Sequence, residues 1–244
     1  MCYYTYMRYL MIVQYNGLNY NGFQKQNNHN TIQDKLEDAL HIILKENIVC
    51  TGSGRTDAKV NAYFQPVHFD TEQEINAQKV LYSLNGILPE DIKVLSLHQT
   101  NIHTRFDAKN KTYIYKMYVS ETDLPLYSNA LKISQNLNFK EMKKFLKCLV
   151  GTHDFAGFMA SGSEVESTTR TMYKAKLVRE KEYINLYIKG NGFLYKMVRN
   201  IVGTMLKIGE GKLNLKEIQP TLFTTFKAVH TAKPEFLFLY NVEY

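Results

Sequence analysis

The sequence predicts an α+β fold built from two similar halves, each with an antiparallel sheet flanked by helices. Three observations support this class. Strand segments and helix segments are grouped instead of alternating as parallel βαβ units do. The same order of elements recurs after about residue 105, and no low-complexity linker separates the two stretches. We therefore expect an N-terminal half over residues 1–105 and a C-terminal half over residues 106–244.

The first half shows a strand, a helix and further strands in turn. Residues 7–15 (MRYLMIVQY) predict a buried strand that ends at an Asn-Gly turn. Thr31 followed by Asp34 resembles a capping box, and the apolar residues after it recur on one helical face. We expect a short strand at 48–50, a strand around 63–69, a helix around 75–84 and a strand around 92–97.

The second half repeats this pattern with different residues. Strands are predicted at 111–119, near 172–178 and at 183–189, and a helix is predicted at 139–150. A Gly-Asn-Gly turn at 190–192 precedes an apolar helical segment that contains the following residues: Met197, Val198, Ile201, Val202, Met205 and Leu206. Antiparallel sheets with helices packed against them would bury both sets of apolar residues.

The composition indicates a globular protein with a polyanionic partner. The chain has 244 residues, 45% of them hydrophobic, which is enough for a substantial core. Its formal charge of +7 favours a nucleic acid as partner, although general basicity would give the same number. Tyrosine occurs 18 times and suits stacking on bases, but most of these rings are expected in the core.

Several other classes of protein are disfavoured. Cys2, Cys50 and Cys148 are odd in number and widely spaced, so neither a disulfide framework nor a zinc site is expected. The seven histidines are scattered along the chain. No apolar segment approaches the ~20 residues that span a bilayer, and the N-terminus lacks the pattern of a signal peptide. These features favour a cytoplasmic location.

The segment 51–58 (TGSGRTDA) is the strongest candidate for a functional site. Gly52 and Gly54 allow a sharp turn and a close approach of substrate, and Arg55 lies two positions before Asp57. A surface ion pair is one interpretation of an Arg-x-Asp triplet. The other is that Asp57 acts as a nucleophile or base while Arg55 orients it or contacts a phosphate or base.

Further motifs follow in a characteristic order. YNG and GFQ lie between residues 15 and 24, GRTDA at 54–58, RFDA and KTYIY between 105 and 115, HDF at 153–155, SGS at 161–163, GNGFLYKMVRNIVG at 190–203 and VEY at 242–244. Together they resemble the tRNA pseudouridine synthase A family over residues 7–244, which implies Met7 as the natural start. The chain departs from the family pattern at Lys59 and Asn61, where glycine and histidine are usual, and at Phe23, where tryptophan is usual.

The resemblance implies an isomerase that converts uridine to pseudouridine at positions 38 to 40 of the tRNA anticodon stem-loop. It implies no cofactor or metal, a homodimer, and an active-site cleft between the halves that binds tRNA. Asp57 is the expected catalytic nucleophile, although the residues alone leave an elimination course open. The resemblance adds Tyr113 and Arg199 to the catalytic set. It implies contacts with RNA or substrate for these residues: Arg55, Phe193, Lys59 and Arg105.

Alternatives remain for the residues and for the whole chain. Tyr113 and Tyr115 point to the same face of a strand, so spacing alone does not choose between them. A non-catalytic tRNA-binding folding chaperone would use the same scaffold. A metal-dependent nucleic-acid hydrolase is disfavoured because no second carboxylate or histidine cluster accompanies Asp57 in the sequence.

Overall fold

The computed structural model describes residues 6–27, 30–162 and 165–244. Cys2 and Ser163, which enter the sequence analysis, lie outside these ranges. The chain divides into two compact units. Unit 1 comprises Met1–Lys109 together with Phe238–Tyr244, and unit 2 comprises Asn110–Leu237. The division into halves at residues 105 and 106 stays a prediction about the domain limits.

Unit 1 contains a mainly antiparallel sheet and two helices. Its elements are β1 (Met7–Tyr15), α1 (Ile32–Leu44), β2 (Thr51–Gly52), β3 (Asn61–Thr71), α2 (Ala77–Ile87), β4 (Ile92–Gln99) and most of β10 (Leu237–Glu243). The strand order is β4-β1-β3-β10, and β2 pairs with β3. β1 is antiparallel to β3 and β4, whereas β10 runs parallel to β3 through Phe238 and Leu239.

Unit 2 contains a second set of strands and helices. Its elements are β5 (Asn110–Val119), β6 (Leu131–Ile133), α3 (Phe139–Cys148), β7 (Gly151–Asp154), β8 (Thr169–Glu180), β9 (Tyr183–Gly190), α4 (Met197–Gly209) and α5 (Leu215–Ile218). The order is β5-β9-β8-β7 with antiparallel pairing, and β6 pairs with β5 in parallel. Alternate residues of β5 and β9 form the core face, with Tyr115, Met117, Leu186 and Ile188 almost completely buried.

The predicted fold class is confirmed, although not all of the strand pairs are antiparallel. The pairs β3–β10 and β5–β6 are parallel. β1 has the predicted bounds, and α1 begins at the predicted capping box, because Thr31 accepts a hydrogen bond from the Asp34 amide and Asp34 accepts one from the Thr31 amide. β6, β7, α5 and β10 were not predicted from the sequence pattern.

The prediction of a strand at 48–50 is wrong. The structure places β2 at Thr51–Gly52, and Val49 is exposed. The backbone of Cys50 is bonded by side chains of α1 instead of by a neighbouring strand. Its N–H donates to Glu37 Oε1 over 3.0 Å, and its carbonyl accepts from Gln33 Nε2 over 3.0 Å. Side chains thus satisfy the backbone groups that would otherwise require a sheet.

Candidate active site

Three of the predicted site residues lie in one loop of unit 1. The Asp57 loop (residues 53–60) follows β2 and leads into β3. Arg55 and Lys59 are exposed in it, and Asp57 is half-buried. The loop begins where the Ser53 N–H donates to Pro66 O over 2.9 Å, and it closes where the Val60 N–H donates to Asp57 O over 3.1 Å. The carboxylate therefore sits at a tight, internally bonded turn.

Lys59 adopts a backbone conformation that usually requires glycine. Its φ is 65°, in the left-handed region. This is the position at which the resemblance expects glycine, and the chain carries a lysine there in a conformation that glycine adopts more readily. Asn61, the second departure, accepts a hydrogen bond from the Gly17 N–H over 2.9 Å through Oδ1. Both departures are thus compatible with an ordered loop.

The N-terminal turn, which contains Gly22 and Phe23, contacts the same loop. The Phe23 N–H donates to Thr56 O over 3.1 Å, and the Tyr15 hydroxyl lies 2.8 Å from Thr56 Oγ1. Gly22 has a φ of 95°, and a Cβ atom on it would lie 2.7 Å from Thr56 O. Only glycine allows this approach. The GFQ motif therefore supports the residue immediately before Asp57.

The buried side of the loop rests on one side chain of β3. Gln65 is completely buried. Its Oε1 accepts a hydrogen bond from Ser53 Oγ over 2.8 Å, and its Nε2 donates to Gly54 O over 2.6 Å. The sequence analysis did not identify this residue. The only available signal was a glutamine within an otherwise strand-forming segment, a position where a buried amide must find partners.

Arg105 lies in a segment that is anchored to β2. Thr104 Oγ1 donates to Thr51 O over 2.7 Å, and the Tyr244 hydroxyl donates to Thr104 O over 2.9 Å. Arg105 itself is exposed, with its guanidinium carbon 5.7 Å from the centre of the Phe106 ring. Phe106 stacks in turn on His103, with ring centres 4.3 Å apart. The structure thus joins the Arg105 segment to the strand that enters the Asp57 loop.

His68 lies beneath this segment and is held neutral. Its Nδ1 is 2.8 Å from Thr104 Oγ1, and the side chain is buried. Burial lowers its pKa to about 4, and the positive charges of Arg8 and His103 act in the same direction. A neutral imidazole is compatible with its buried position beside β2.

In unit 2 the structure distinguishes Tyr113 from Tyr115. Both rings point to the core face, as the period of two predicts. Tyr115 is fully buried and its hydroxyl donates to Lys233 O over 3.1 Å, while burial raises its pKa above the usual value. Tyr113 instead meets the edge of Phe193, with ring centres 5.2 Å apart. Two predicted site residues are therefore in contact, and Tyr115 has a structural contact of its own.

Arg199 lies in the first turn of α4, beside residues 230–232. Its Nε donates to Ala232 O over 2.8 Å, and the Ala232 N–H donates back to Arg199 O over 3.1 Å. This reciprocal pair restricts the half-buried guanidinium. The close approach of the segment depends on Gly203, where a Cβ atom would lie 2.0 Å from His230 O. The helix and this segment together fix the direction of the side chain.

Within residues 6–27, 30–162 and 165–244, no group of three or more His, Cys, Asp or Glu side chains could hold a metal ion. Likewise, none of the helices in these ranges combines the length and the apolar character needed to cross a bilayer.

The fold and the site define a class: an α+β protein with a carboxylate in a tightly held Gly-Arg-Thr-Asp loop. The sequence profile of a family described as tRNA pseudouridine synthase matches residues 11–107 and 146–244. The chain belongs to this family, whose members are isomerases that convert uridine to pseudouridine, and it is an enzyme of that class.

Individual relatives extend over nearly the whole chain. A protein named tRNA pseudouridine synthase A from Thermoanaerobacter sp. is 41% identical over 240 residues, which cover 96% of this chain and 98% of the relative. Its namesake from Anoxybacillus flavithermus is 38% identical over 237 residues, covering 95% and 96%. A solved archaeal box H/ACA ribonucleoprotein complex aligns with 81% of this chain and 43% of its own, at a TM-score of 0.35 and 13% identity, which is too weak to support conclusions.

Proposed function

We propose that this enzyme forms pseudouridine at positions 38 to 40 of the tRNA anticodon stem-loop, with Asp57 as the nucleophile. The observation that carries the proposal is the Asp57 loop itself, in a chain that belongs to the family. Hydrogen bonds from β3 and from the N-terminal turn hold the residues on the N-terminal side of the carboxylate. Such restraint favours a reacting group, because attack requires a fixed geometry.

The reaction is an isomerisation. Product and substrate contain the same atoms, so no second substrate is needed. The bond between N1 of uracil and C1′ of ribose breaks, while Asp57 captures the sugar or the ring as a covalent adduct. The uracil rotates, C5 bonds to C1′ and the bond to Asp57 breaks. C5 then loses its proton and N1 gains one, so product and substrate have the same composition. Asp57 therefore returns to its carboxylate form at the end of each cycle.

The other site residues have proposed roles that follow from their chemistry. Tyr113, packed against Phe193, restrains the target base, and its hydroxyl serves proton transfer. Arg199 acts as the basic partner of the catalytic carboxylate. Arg55, exposed beside Asp57, takes part in expelling the nucleotide from the stem. Lys59 and Arg105 are exposed cations that contact RNA phosphates. We also propose a cytoplasmic homodimer.

The test is pseudouridine mapping of unmodified tRNA after incubation with the enzyme. Wild-type protein is expected to modify positions 38 to 40, and Asp57→Asn, which keeps the shape of the side chain, is expected to give no product while still binding tRNA. The control is Asp38→Asn, which removes an equal charge from the exposed face of α1 and should retain activity. Product from Asp57→Asn would exclude Asp57 as the nucleophile. Binding and refolding of tRNA without product from the wild-type protein would instead support the chaperone alternative.

A further inference from the structure

Gln65 is a buried side chain of β3 that contacts the Asp57 loop. It lies in β3 opposite Val13 of β1, and its side chain is completely buried. A buried amide is costly unless its donor and its acceptor are both bonded. Gln65 satisfies both requirements on the Asp57 loop, through Ser53 and Gly54. The side chain therefore connects the core of unit 1 to the residues that precede the carboxylate.

The chemistry of this contact requires an amide. Gly54 presents a carbonyl oxygen, which needs a donor, and Ser53 presents a hydroxyl that donates, so it needs an acceptor. An ionised glutamate has no donor for the carbonyl, and an apolar side chain has neither group. Space is also restricted, since a Cβ atom on Gly52 would lie 3.1 Å from Gln65 Nε2 and 2.5 Å from the Phe23 ring.

The hydrogen bond to the Gly54 carbonyl is important because glycine has the most flexible backbone of all residues. The peptide group that joins Gly54 to Arg55 can rotate more freely than it could after any other residue. The 2.6 Å hydrogen bond from Gln65 holds the carbonyl end of that peptide group. Fixing its plane also fixes the direction in which the chain continues through Arg55 to Asp57. The Gln65 contact thus helps to orient the reactive segment, together with the contacts that Tyr15 and Phe23 make with Thr56.

We propose that Gln65 is a positioning residue for the pseudouridine synthase reaction, holding the Asp57 carboxylate in its reactive place without touching the substrate. This inference rests on the proposed function of Asp57. A displacement of about 1 Å in a reacting group can lower a rate about 100-fold. Loss of the Gln65 contacts should therefore lower the rate of the chemical step, while the exposed RNA-contacting side chains keep their charges.

The first test is Gln65→Met, which keeps the length of the side chain and removes both hydrogen bonds. With enzyme in saturating excess over tRNA, the single-turnover rate is expected to fall about 10- to 100-fold, and the Kd for tRNA is expected to change less than about 2-fold. Val80→Ala in α2 is the control for stability, because it opens the buried core away from the loop. It should lower the Tm and leave the single-turnover rate per folded molecule unchanged.

The second test uses pH to separate positioning from simple loss of packing. In Gln65→Glu the introduced carboxyl cannot donate to Gly54 O when ionised but can donate when protonated. The rate of this variant divided by that of the wild type at the same pH should therefore rise as the pH is lowered. The same ratio for Gln65→Met should stay flat, since that side chain does not titrate.

Hydrogen exchange at the Val60 N–H gives a readout that does not depend on activity. This amide bonds Asp57 O, and its exchange should accelerate in Gln65→Met but not in Val80→Ala. A wild-type protein without product would refute the proposed function, and the exchange comparison would still report on the loop. A Gln65→Met rate equal to that of the wild type, or a loss confined to tRNA affinity, would overturn the positioning role.

Discussion

At the scale of single residues, Lys59 takes a left-handed backbone conformation at a position where the family pattern has glycine. A residue other than glycine in the left-handed region costs about 1–2 kcal/mol. Lys59, with φ of 65°, bears this cost beside the candidate nucleophile. Lys45 and Lys181 are also left-handed, with φ of 59° and 58°. At Lys59 the cost coincides with an exposed charge two residues after Asp57, which is where a phosphate contact would be useful.

Lys59→Gly should therefore stabilise the protein and weaken its binding to tRNA. We expect the free energy of unfolding to rise by about 0.5–1 kcal/mol, the relieved strain less the added flexibility of glycine. The slope of log K for tRNA against log salt should become shallower by about 1. Denaturant unfolding and binding titrations at several salt concentrations measure both. Lys181→Gly, in the turn after β8, is the control and should give only the stability gain. Equal tRNA binding by both variants would argue against a phosphate contact at Lys59.

The lowered pKa of His68 predicts that the protein is less stable in acid. Its folded pKa of about 4 lies below the usual 6.5, so the unfolded chain binds a proton at a higher pH than the folded chain does. The free energy of unfolding should therefore fall as the pH decreases from about 6.5 to about 4, by about 3 kcal/mol in total. Above about pH 6.5 this loss is absent. Urea unfolding of the wild type and of His68→Gln between pH 7 and 4 measures it. The variant should show a weaker dependence on pH in this window, and identical slopes would contradict the expectation.

At the scale of elements, the N-terminal turn and the Asp57 loop form one packed unit. The Lys59 N–H donates to Tyr20 O over 3.2 Å, and the Ile32 N–H at the start of α1 donates to Gly22 O over 3.1 Å. The turn thus links the first helix to the candidate nucleophile. Gly22 allows this link, because its left-handed backbone lies directly against Thr56.

Gly22→Ala should damage both stability and activity. The left-handed backbone costs about 1–2 kcal/mol for alanine, and the new methyl group would meet Thr56 O at 2.7 Å. We expect a total loss of at least about 2 kcal/mol and a lower single-turnover rate. Gly211→Ala is the matched control, because Gly211 also has a positive φ but no atom within 4 Å of its added Cβ. It should lose only the backbone contribution and keep its rate. Equal effects of the two substitutions on the rate would contradict a role of the turn in supporting the loop.

At the scale of the whole molecule, distant parts of the sequence complete unit 1. Phe238 and Leu239 of β10 pair with β3, and Phe238 stacks on Tyr63 with ring centres 5.0 Å apart. The Lys109 N–H donates to Glu243 O over 2.8 Å. β10 is therefore separated from β3 by all of unit 2 along the chain.

Phe238→Ala should destabilise unit 1, although its partner strand lies far away in sequence. Phe238 is buried, so removing its ring should cost about 3–5 kcal/mol. Hydrogen exchange is expected to accelerate in β3 and in the Asp57 loop. Tyr240→Ala provides the comparison, because Tyr240 also contacts Tyr63 but is 45% exposed, and it should have a smaller effect. Unchanged exchange in β3 would show that β10 does not stabilise this part of the sheet.

Local patterns account for most of the elements that could be predicted. The bounds of β1 follow from a continuous run of β-forming residues that ends at a turn, and the capping box of α1 follows from side-chain bonds over three positions. The prediction failed at 48–50, where apolar residues suggested a strand but Glu37 and Gln33 bind the Cys50 backbone. β10 was not predicted, because its place in the sheet depends on a partner more than 100 residues earlier.

The sequence by itself determined the α+β class, the presence of a Gly-Arg-Thr-Asp loop and the family. These are encoded by short-range periodicity and by motifs whose order can be compared directly. Only the tertiary structure decided that Gln65 and Tyr15 hold this loop, that Lys59 takes the left-handed conformation, and that Tyr115 has its own structural contact. The physical reason is that these features arise from hydrogen bonds, buried contacts and backbone angles set by residues distant along the chain, which no local pattern specifies.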